Sequence, residues 1–269
     1  MTTTTRTRMQ AALIGAAVAM AFTDAGAATI DLTGGPDICG TTHGAEVCSA
    51  NDTGSTGSGT FPEFVGTNGG RPDTFFMYNT TSSPLEAGNE VGNGSNQNRD
   101  VMLGDFAVTD RNGVDVFTFV LDINQNNDSL LTLNHVAIFI GDGSLTGYDA
   151  GADTLGGVDA AWAMSVDDLI NLDADVASSG SGRGDLFLYV PISLFADFDT
   201  DDHLQLFSSF GDPNNNNSGF EEWSYLSCTR STVDTCFTPP PTGTPEPGTL
   251  ALLGLGLLGM GMTRRQLAA

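Results

Sequence analysis

Residues 114–124 read V-D-V-F-T-F-V-L-D-I-N, and this stretch decides the fold class. In an extended strand Val116 and Phe117 point to opposite faces, and Phe119 lies on the same face as Phe117. Both faces are therefore partly apolar, which is typical of a strand in the centre of a β-sandwich. The R-N-G at 111–113 is a turn sequence and indicates a β-hairpin that leads into the strand.

Further β-type runs are separated by clusters of Gly, Asn and Asp. About seven strands with turns at short intervals predict an all-β protein. We expect a β-sandwich, jelly-roll or immunoglobulin-like in outline, with Asp/Asn/Gly-rich loops. The other runs are Thr74–Tyr78, Val101–Thr109, Leu130–Ile140, Asp185–Ser193, Leu204–Phe210 and Phe220–Leu226.

One helix is predicted within this β-rich pattern, at Ala160–Leu172. Four apolar residues recur there at a spacing that places them on one side of a helix. Ser165 is a suitable capping residue for its first turn. The four apolar residues are Trp162, Val166, Leu169 and Ile170.

The charge of the chain is strongly negative. Its 269 residues include 33 Asp and Glu against nine basic residues, which gives a formal net charge of −24. All nine basic residues are Arg, and Lys is absent. The sequence therefore lacks the basic surface that nucleic-acid binding requires, and chemistry that depends on Lys is excluded. The acids are 26 Asp and seven Glu, which favours turns and cation-binding loops over helices.

Residues 1–27 have the parts of a secretory signal peptide. Arg6 and Arg8 form its basic start, and an apolar stretch follows at Ala11–Phe22. Such a stretch is too short to span a bilayer core of about 30 Å at about 1.5 Å per residue. The small residues at its end predict cleavage after Ala27, with Ala28 as the alternative.

The C-terminal end has three parts after the expected secreted domain, 28–237. Residues 238–247 form a Pro-rich spacer, and 248–269 combine a short Leu/Gly-rich run with a basic end. Physically these are an extended spacer, a short hydrophobic helix and a positively charged stop that is expected to stay cytoplasmic. The apolar run spans only about 21 Å as a helix, which suits a transient anchor. The characteristic residues are Pro245, Glu246, Pro247, Arg264 and Arg265.

This tail resembles the PEP-CTERM sorting signal of Gram-negative bacteria that make exopolysaccharide. The resemblance covers 245–269: the Pro-Glu-Pro box, a Thr two residues later, the Leu/Gly-rich segment and the paired Arg. It implies transient insertion into the inner membrane and processing by an exosortase, a membrane protease-transpeptidase. The same segment is also catalogued at the end of some ice-binding proteins. It implies a route to the cell surface or extracellular matrix and says nothing of an activity.

The four cysteines form two pairs that are close in sequence, Cys39 with Cys48 and Cys228 with Cys236. An exported chain meets an oxidising compartment, so two local disulfides are expected. Each would close a loop of about ten residues and stabilise the domain by about 2–3 kcal/mol at most. Zinc is the alternative, but His43 is the one His near a pair, and no C-x-x-C is present.

Three loops carry oxygen ligands at alternate positions and are candidates for structural calcium. Residues 122–128 begin like an EF-hand loop, but Asn127 replaces the usual Gly and Leu133 the usual Glu. Similar patterns recur at 197–202 and 212–218. The alternative is a set of solvated turns, because Asp and Asn are common turn residues. The candidate ligands are Asp122, Asn124, Asn126, Asp128, Asp197, Asp199 and Asp201.

Evidence for catalysis is thin. The three His residues are scattered, and no G-x-S-x-G motif is present. Glu221 and Glu222 are adjacent, so in a strand they point to opposite faces and cannot form the acid–base pair of a glycosidase. The neighbouring aromatic residues either pack in the core or form a platform for sugar rings. They are Phe220, Trp223 and Tyr225.

Two functions remain open. The first is a non-catalytic surface or matrix protein that is sorted by an exosortase and associates with exopolysaccharide. The alternative is a secreted domain that binds polysaccharide like a lectin or hydrolyses it.

Overall fold

A computed structural model describes residues 28–50, 60–66, 74–79, 98–125, 129–176, 184–215, 219, 221–229 and 235–239. This part of the chain is mostly β, as the sequence predicts. The predicted signal peptide and the predicted C-terminal helix lie outside the described residues. Two 3₁₀ helices occur in the described part, at Leu103–Asp105 and Ile192–Phe195.

The described strands are β1 (Thr29–Asp31), β2 (Cys39–Thr42), β3 (Ala45–Ser49), β4 (Glu63–Gly66), β5 (Phe75–Tyr78), β6 (Val101–Met102), β7 (Thr109–Arg111), β8 (Val114–Asp122), β9 (Leu130–Gly141), β10 (Tyr148–Asp149), β11 (Thr154–Leu155), β12 (Val158–Asp159), β13 (Trp162–Ala163), β14 (Leu169–Asp173), β15 (Leu186–Pro191), β16 (His203–Phe210) and β17 (Glu222–Tyr225).

Two seven-stranded sheets pack face to face. In the front sheet the order is β1-β14-β9-β16-β5, with β13 beside β9 and β6 beside β16. In the back sheet it is β2-β3-β15-β8-β17-β4, with β7 beside β8. Pairing is antiparallel in both sheets except between β1 and β14. One hydrophobic core lies between the sheets and takes residues from both.

Strand β8 lies in the middle of the back sheet, as its two apolar faces predict. Phe117 and Phe119 are fully buried in the core between the sheets. Val116 and Val120 on the opposite face are buried as well. The turn before β8 uses Asn112 at φ 56° and Gly113 at φ 83°, left-handed conformations that Asn and Gly adopt readily, so the predicted hairpin is confirmed.

A third, smaller sheet of β10, β11 and β12 covers part of the outer face of the front sheet. Alternate residues of β9 separate the two layers: Ile138 faces the main core, whereas Ala137 and Phe139 face outward. There they join Leu155 of β11 and Phe207 of β16 in a second hydrophobic cluster. The segment between β9 and β13, which contains the third sheet, thus covers part of the outer face of the front sheet.

The predicted helix at Ala160–Leu172 is wrong, because the segment forms β13 and β14. Trp162 pairs with Ile138 of β9, and β14 pairs with both β1 and β9. Val166 is 74% exposed and does not share a buried side with Trp162. Pairing with two neighbouring strands outweighs the weak helical periodicity of this short stretch.

The expected strand at Val101–Thr109 is also interrupted. It consists of β6, the first 3₁₀ helix and two isolated bridges before β7 begins at Thr109. The side chain of Asp105 accepts a hydrogen bond from the Met102 N–H at 3.0 Å, which stabilises the tight turn. The strand expected at Asp185–Ser193 ends at Pro191, where the second 3₁₀ helix begins.

The edge strand β1 is held at its start by a buried carboxylate. Asp168 accepts hydrogen bonds from the Ala28 N–H at 3.0 Å and from the Thr42 hydroxyl at 2.8 Å. The Leu169 N–H donates to the Ala28 carbonyl at 3.0 Å. Ala28 thus docks directly onto β14 and its preceding turn.

Candidate functional sites

The first disulfide joins Cys39 of β2 to Cys48 of β3, which are paired residues on neighbouring strands. Arg111 lies beside it, with its Nη2 at 3.4 Å from the Cys48 sulfur and its Nε at 2.7 Å from Glu46. The Arg111 guanidinium also stacks over the Tyr189 ring at 4.4 Å. In the described part of the chain, Cys39, Glu46 and Cys48 alone bring three ligand atoms within 4.8 Å of one another. Both sulfurs are bonded to each other, so they offer no thiolate to a metal.

The second disulfide joins Cys228 to Cys236. An isolated bridge pairs Cys236 with Ala107, and another pairs Ser227 with Phe106. The disulfide therefore anchors the last described segment, which leads into the spacer, beside the turn between β6 and β7. Both pairings are the ones that the sequence predicts.

Three acidic side chains lie side by side on three neighbouring strands of the back sheet. Asp122 at the end of β8 is opposite Glu222 of β17, and Asp185 directly precedes Leu186, which is opposite Leu121. We call Asp185, Asp122 and Glu222 the acidic row. They are only 5%, 1% and 8% exposed. Like charges at opposed positions are destabilising, and burial increases that cost.

Asp185 shows this cost most clearly. Burial raises its pKa to about 9, and repulsion from Asp122 adds to the effect. A hydrogen bond of 2.8 Å from the Ile123 N–H opposes it only in part. Asp185 is therefore protonated at neutral pH in the folded protein. No sequence motif singles out this residue, which stands alone before an apolar run.

Residues 122–125 lie close to Gly219 and Glu221 at this end of the sandwich. Gln125 donates a hydrogen bond to the Glu221 carboxylate at 2.8 Å. Gly219 lies so close to Asn124 that an added Cβ would be 1.2 Å from the Asn124 carbonyl oxygen, so the approach requires glycine. Asn126 and Asp128, the other predicted ligands of this loop, lie outside the described residues.

The loop at 197–202 is not part of this arrangement. Ala196 lines a cavity with Asp115 near the start of β8, whereas Asp122 ends that strand. Seven residues at about 3.3 Å each separate these positions by about 23 Å. Residues 197–202 therefore lie near the opposite end of β8 from Asp122, and calcium binding at this loop stays a prediction of its own. Its three candidate ligands are exposed: Asp197, Asp199 and Asp201.

The aromatic residues of β17 pack in the core. Trp223 is fully buried and donates a hydrogen bond from Nε1 to the Ser208 hydroxyl of the front sheet at 3.0 Å. Tyr225 contacts Phe106, with ring centroids 4.4 Å apart. Neither ring is available as a platform for a sugar. Phe220 lies outside the described residues.

Sequence reasoning missed a polar cluster on the outer face of the front sheet. Asp153 accepts hydrogen bonds from His135 Nε2 at 3.1 Å and from the Tyr148 hydroxyl at 2.8 Å. Burial and the adjacent Asp153 raise the pKa of Tyr148, so its hydroxyl stays protonated and remains a donor. The outward position of His135 follows from strand alternation, but nothing in the sequence places Asp153 beside it.

The C-terminal tail matches one family model, the PEP-CTERM protein-sorting motif, over residues 244–266. All five characteristic residues of the tail lie within that range, and none is among the described residues. Neither the curated protein sequences nor the solved structures contain a match to the chain. In the described part, no helix is long and apolar enough to cross a membrane.

Fold and tail together define a mostly β, disulfide-bonded protein of the exported class. The resemblance of the tail to the PEP-CTERM signal is confirmed. This chain is an exosortase-sorted exported protein.

Proposed function

We propose that the protein is a non-catalytic component of the cell surface or extracellular matrix that associates with exopolysaccharide. The observation that carries the proposal is the sorting motif at 244–266, attached to a disulfide-bonded β-sandwich. The motif supplies the route, in which the tail inserts transiently into the inner membrane until an exosortase removes it. A folded domain cross-linked by disulfides is suited to an oxidising exterior.

The sorting step is tested by replacing Pro245, Glu246 and Pro247 with Ala. We expect export to continue and an unprocessed, membrane-bound form to accumulate, because the recognition box is lost while the apolar run and the basic stop remain. Cell fractionation and the mass of the intact protein measure this result. The matched control replaces residues 239–241, three further prolines of the spacer, and should be processed normally. Normal processing of the first variant would contradict the assignment.

The basic stop is tested separately with Arg264→Ala and Arg265→Ala together. This variant should be retained less well in the membrane, because positive charge holds that end on the cytoplasmic side. A larger share of unprocessed protein in the soluble fraction is the expected readout.

Association with the matrix is tested by a pull-down on exopolysaccharide from the same cells, with and without calcium. Retention of the processed protein without release of reducing sugar would support the proposal. Failure to bind, or hydrolysis of the polysaccharide, would contradict it.

A further inference from the structure

A cavity of about 420 Å³ opens on the outer face of the front sheet, beside the small sheet. Its volume lies in the usual range for ligand sites. It is lined by residues of β5, β9, β10 and β16 and by the turn after β10. Its lining includes Phe76, His135, Tyr148, Asp153, Phe207 and Ser209.

We propose that this cavity is a binding site for neutral sugar residues of a polysaccharide chain. The inference rests on the proposed function and gives the domain a specific means of contact with the matrix. We name this site the His135 cavity.

The wall of the His135 cavity is aromatic. Tyr148 stacks on Phe207 with ring centroids 3.7 Å apart, and Phe76 lies 5.5 Å from Phe207 and 6.2 Å from Tyr148. Phe207 is buried, while Phe76 and Tyr148 are half-buried. The apolar faces of pyranose rings pack against such rings, and aromatic walls with a few fixed polar groups are typical of ligand sites.

The polar end is formed by His135 and Asp153. His135 Nε2 donates to Asp153, and a His ring with one hydrogen on Nε2 has an Nδ1 that accepts. His135 is 9% exposed, and its Nδ1 has no hydrogen-bond partner in the structure. Buried polar atoms are normally paired, so this nitrogen is suited to accept a hydrogen bond from a ligand hydroxyl.

The backbone also supports a preformed site. Asp153 adopts φ 51°, a left-handed conformation that is uncommon for residues other than glycine. In this conformation its carboxylate holds both the His135 ring and the Tyr148 hydroxyl. Two partners on different strands therefore fix the cavity wall before any ligand arrives.

A second cavity continues the first along the sheet. It shares Phe76 and Ser209 with the His135 cavity and adds Thr74, Asn134 and Asp212. A groove formed by two adjoining cavities suits consecutive residues of a chain better than a single free sugar.

The negative charge of the groove favours neutral sugars over anionic ones. Its described charged side chains are the carboxylates of Asp153 and Asp212, in a protein of net charge −24. Anionic sugars would therefore be repelled. The proposal is binding of the chain, and release of reducing sugar would contradict it.

The test uses the processed, exported protein with soluble dextran and galactomannan as neutral probes and alginate as the anionic probe. We expect calorimetry to detect binding to a neutral polysaccharide and none to alginate. Phe76→Ala should weaken binding by about tenfold, because it removes one aromatic wall. The matched control is Phe187→Ala on the back sheet, which also removes a half-buried aromatic ring in contact with another ring and should leave binding unchanged.

A spectroscopic readout keeps the test decisive if a variant folds poorly. In the unaltered protein, the ¹⁵N resonance of His135 Nδ1 should shift when the neutral polysaccharide binds, because a hydroxyl then donates to it. The resonances of His43 and His203 should stay in place.

Several results would overturn the inference. They are binding of alginate in preference to the neutral chains, equal loss of binding in both Phe variants, an unmoved His135 resonance, or release of reducing sugar. If the protein is sorted and retained on its own exopolysaccharide while Phe76→Ala keeps full affinity, the proposed function stands and this site fails. If wild type binds no polysaccharide at all, both fail.

Discussion

Two Asp-rich stretches carry the same alternation of acidic residues and meet opposite surroundings. Asp122 begins one of them and is buried between Asp185 and Glu222 in the back sheet. Residues 197–202 form the other, an exposed turn at the far end of the sandwich. In both stretches the alternate Asp and Asn residues supply oxygen atoms that could bind a cation. The difference shows that sheet position decides whether those carboxylates are costly to the fold or merely solvated.

The largest expected effect that tests this contrast is at Asp185. Its folded pKa of about 9 lies above the unfolded value, so the folded state holds a proton that the unfolded state releases. Stability should therefore fall as the pH rises through this window, from about pH 4 to about pH 9. Asp185→Asn removes the titration and should raise the free energy of unfolding at pH 8 by several kcal/mol.

Denaturant unfolding at pH 5 and pH 8 measures this effect. Asp199→Asn is the control, because Asp199 is exposed and should leave the pH dependence of stability unchanged. Parallel pH profiles for wild type and Asp185→Asn would show that the acidic row carries no electrostatic cost.

The next effect concerns calcium, which stays a prediction. A cation that binds the folded state at the loop 122–128 stabilises it by about 2.7 kcal/mol at a hundredfold excess over its dissociation constant. For a domain of this size the melting temperature would rise by roughly 5–11 °C. We expect that rise to disappear in Asp122→Asn and to persist in Asp199→Asn.

Magnesium and sodium chloride at matched ionic strength are the controls, because screening alone also stabilises a protein of high negative charge. Equal shifts from all three salts in thermal melts would contradict a specific calcium ion at either stretch.

The smallest effect is expected in the exposed turn. Asp202 accepts a hydrogen bond from the Asp199 N–H at 2.8 Å. Asp202→Ala should therefore cost about 1 kcal/mol, the usual net value of one such bond, at every calcium concentration. A calcium-dependent loss in chemical denaturation would mean that this turn also binds the ion.

The sequence predicts strands where many apolar residues run together. The long strands β8, β9 and β16 follow from such runs, and the turn at 111–113 follows from its own residues. Short strands such as β2 carry little pattern, because C-G-T-T gains its structure from pairing with β3. The helix prediction at Ala160–Leu172 is wrong for the same reason, because pairing with β1 and β9 decides the structure of that segment.

The sites divide in the same way. Local features predict both disulfides and the sorting motif, because each lies within a short stretch of chain. The acidic row depends on the register of β15, β8 and β17, and the contact of His135 with Asp153 depends on how the segment after β9 folds back. Neither arrangement follows from spacing along one stretch.

The docking of Ala28 against Asp168 links the predicted signal-peptide cleavage to the stability of the finished fold. Cleavage after Ala27 would convert the Ala28 N–H, now 3.0 Å from the Asp168 carboxylate, into a positively charged α-amino group at the same place. A hydrogen bond from an uncharged donor would thereby become an ion pair in which the donor is charged as well. Cleavage after Ala28 would remove that donor and leave Thr42 as the acid's remaining side-chain partner. The choice between the two adjacent cleavage sites would then determine how strongly the edge strand β1 is held to the front sheet.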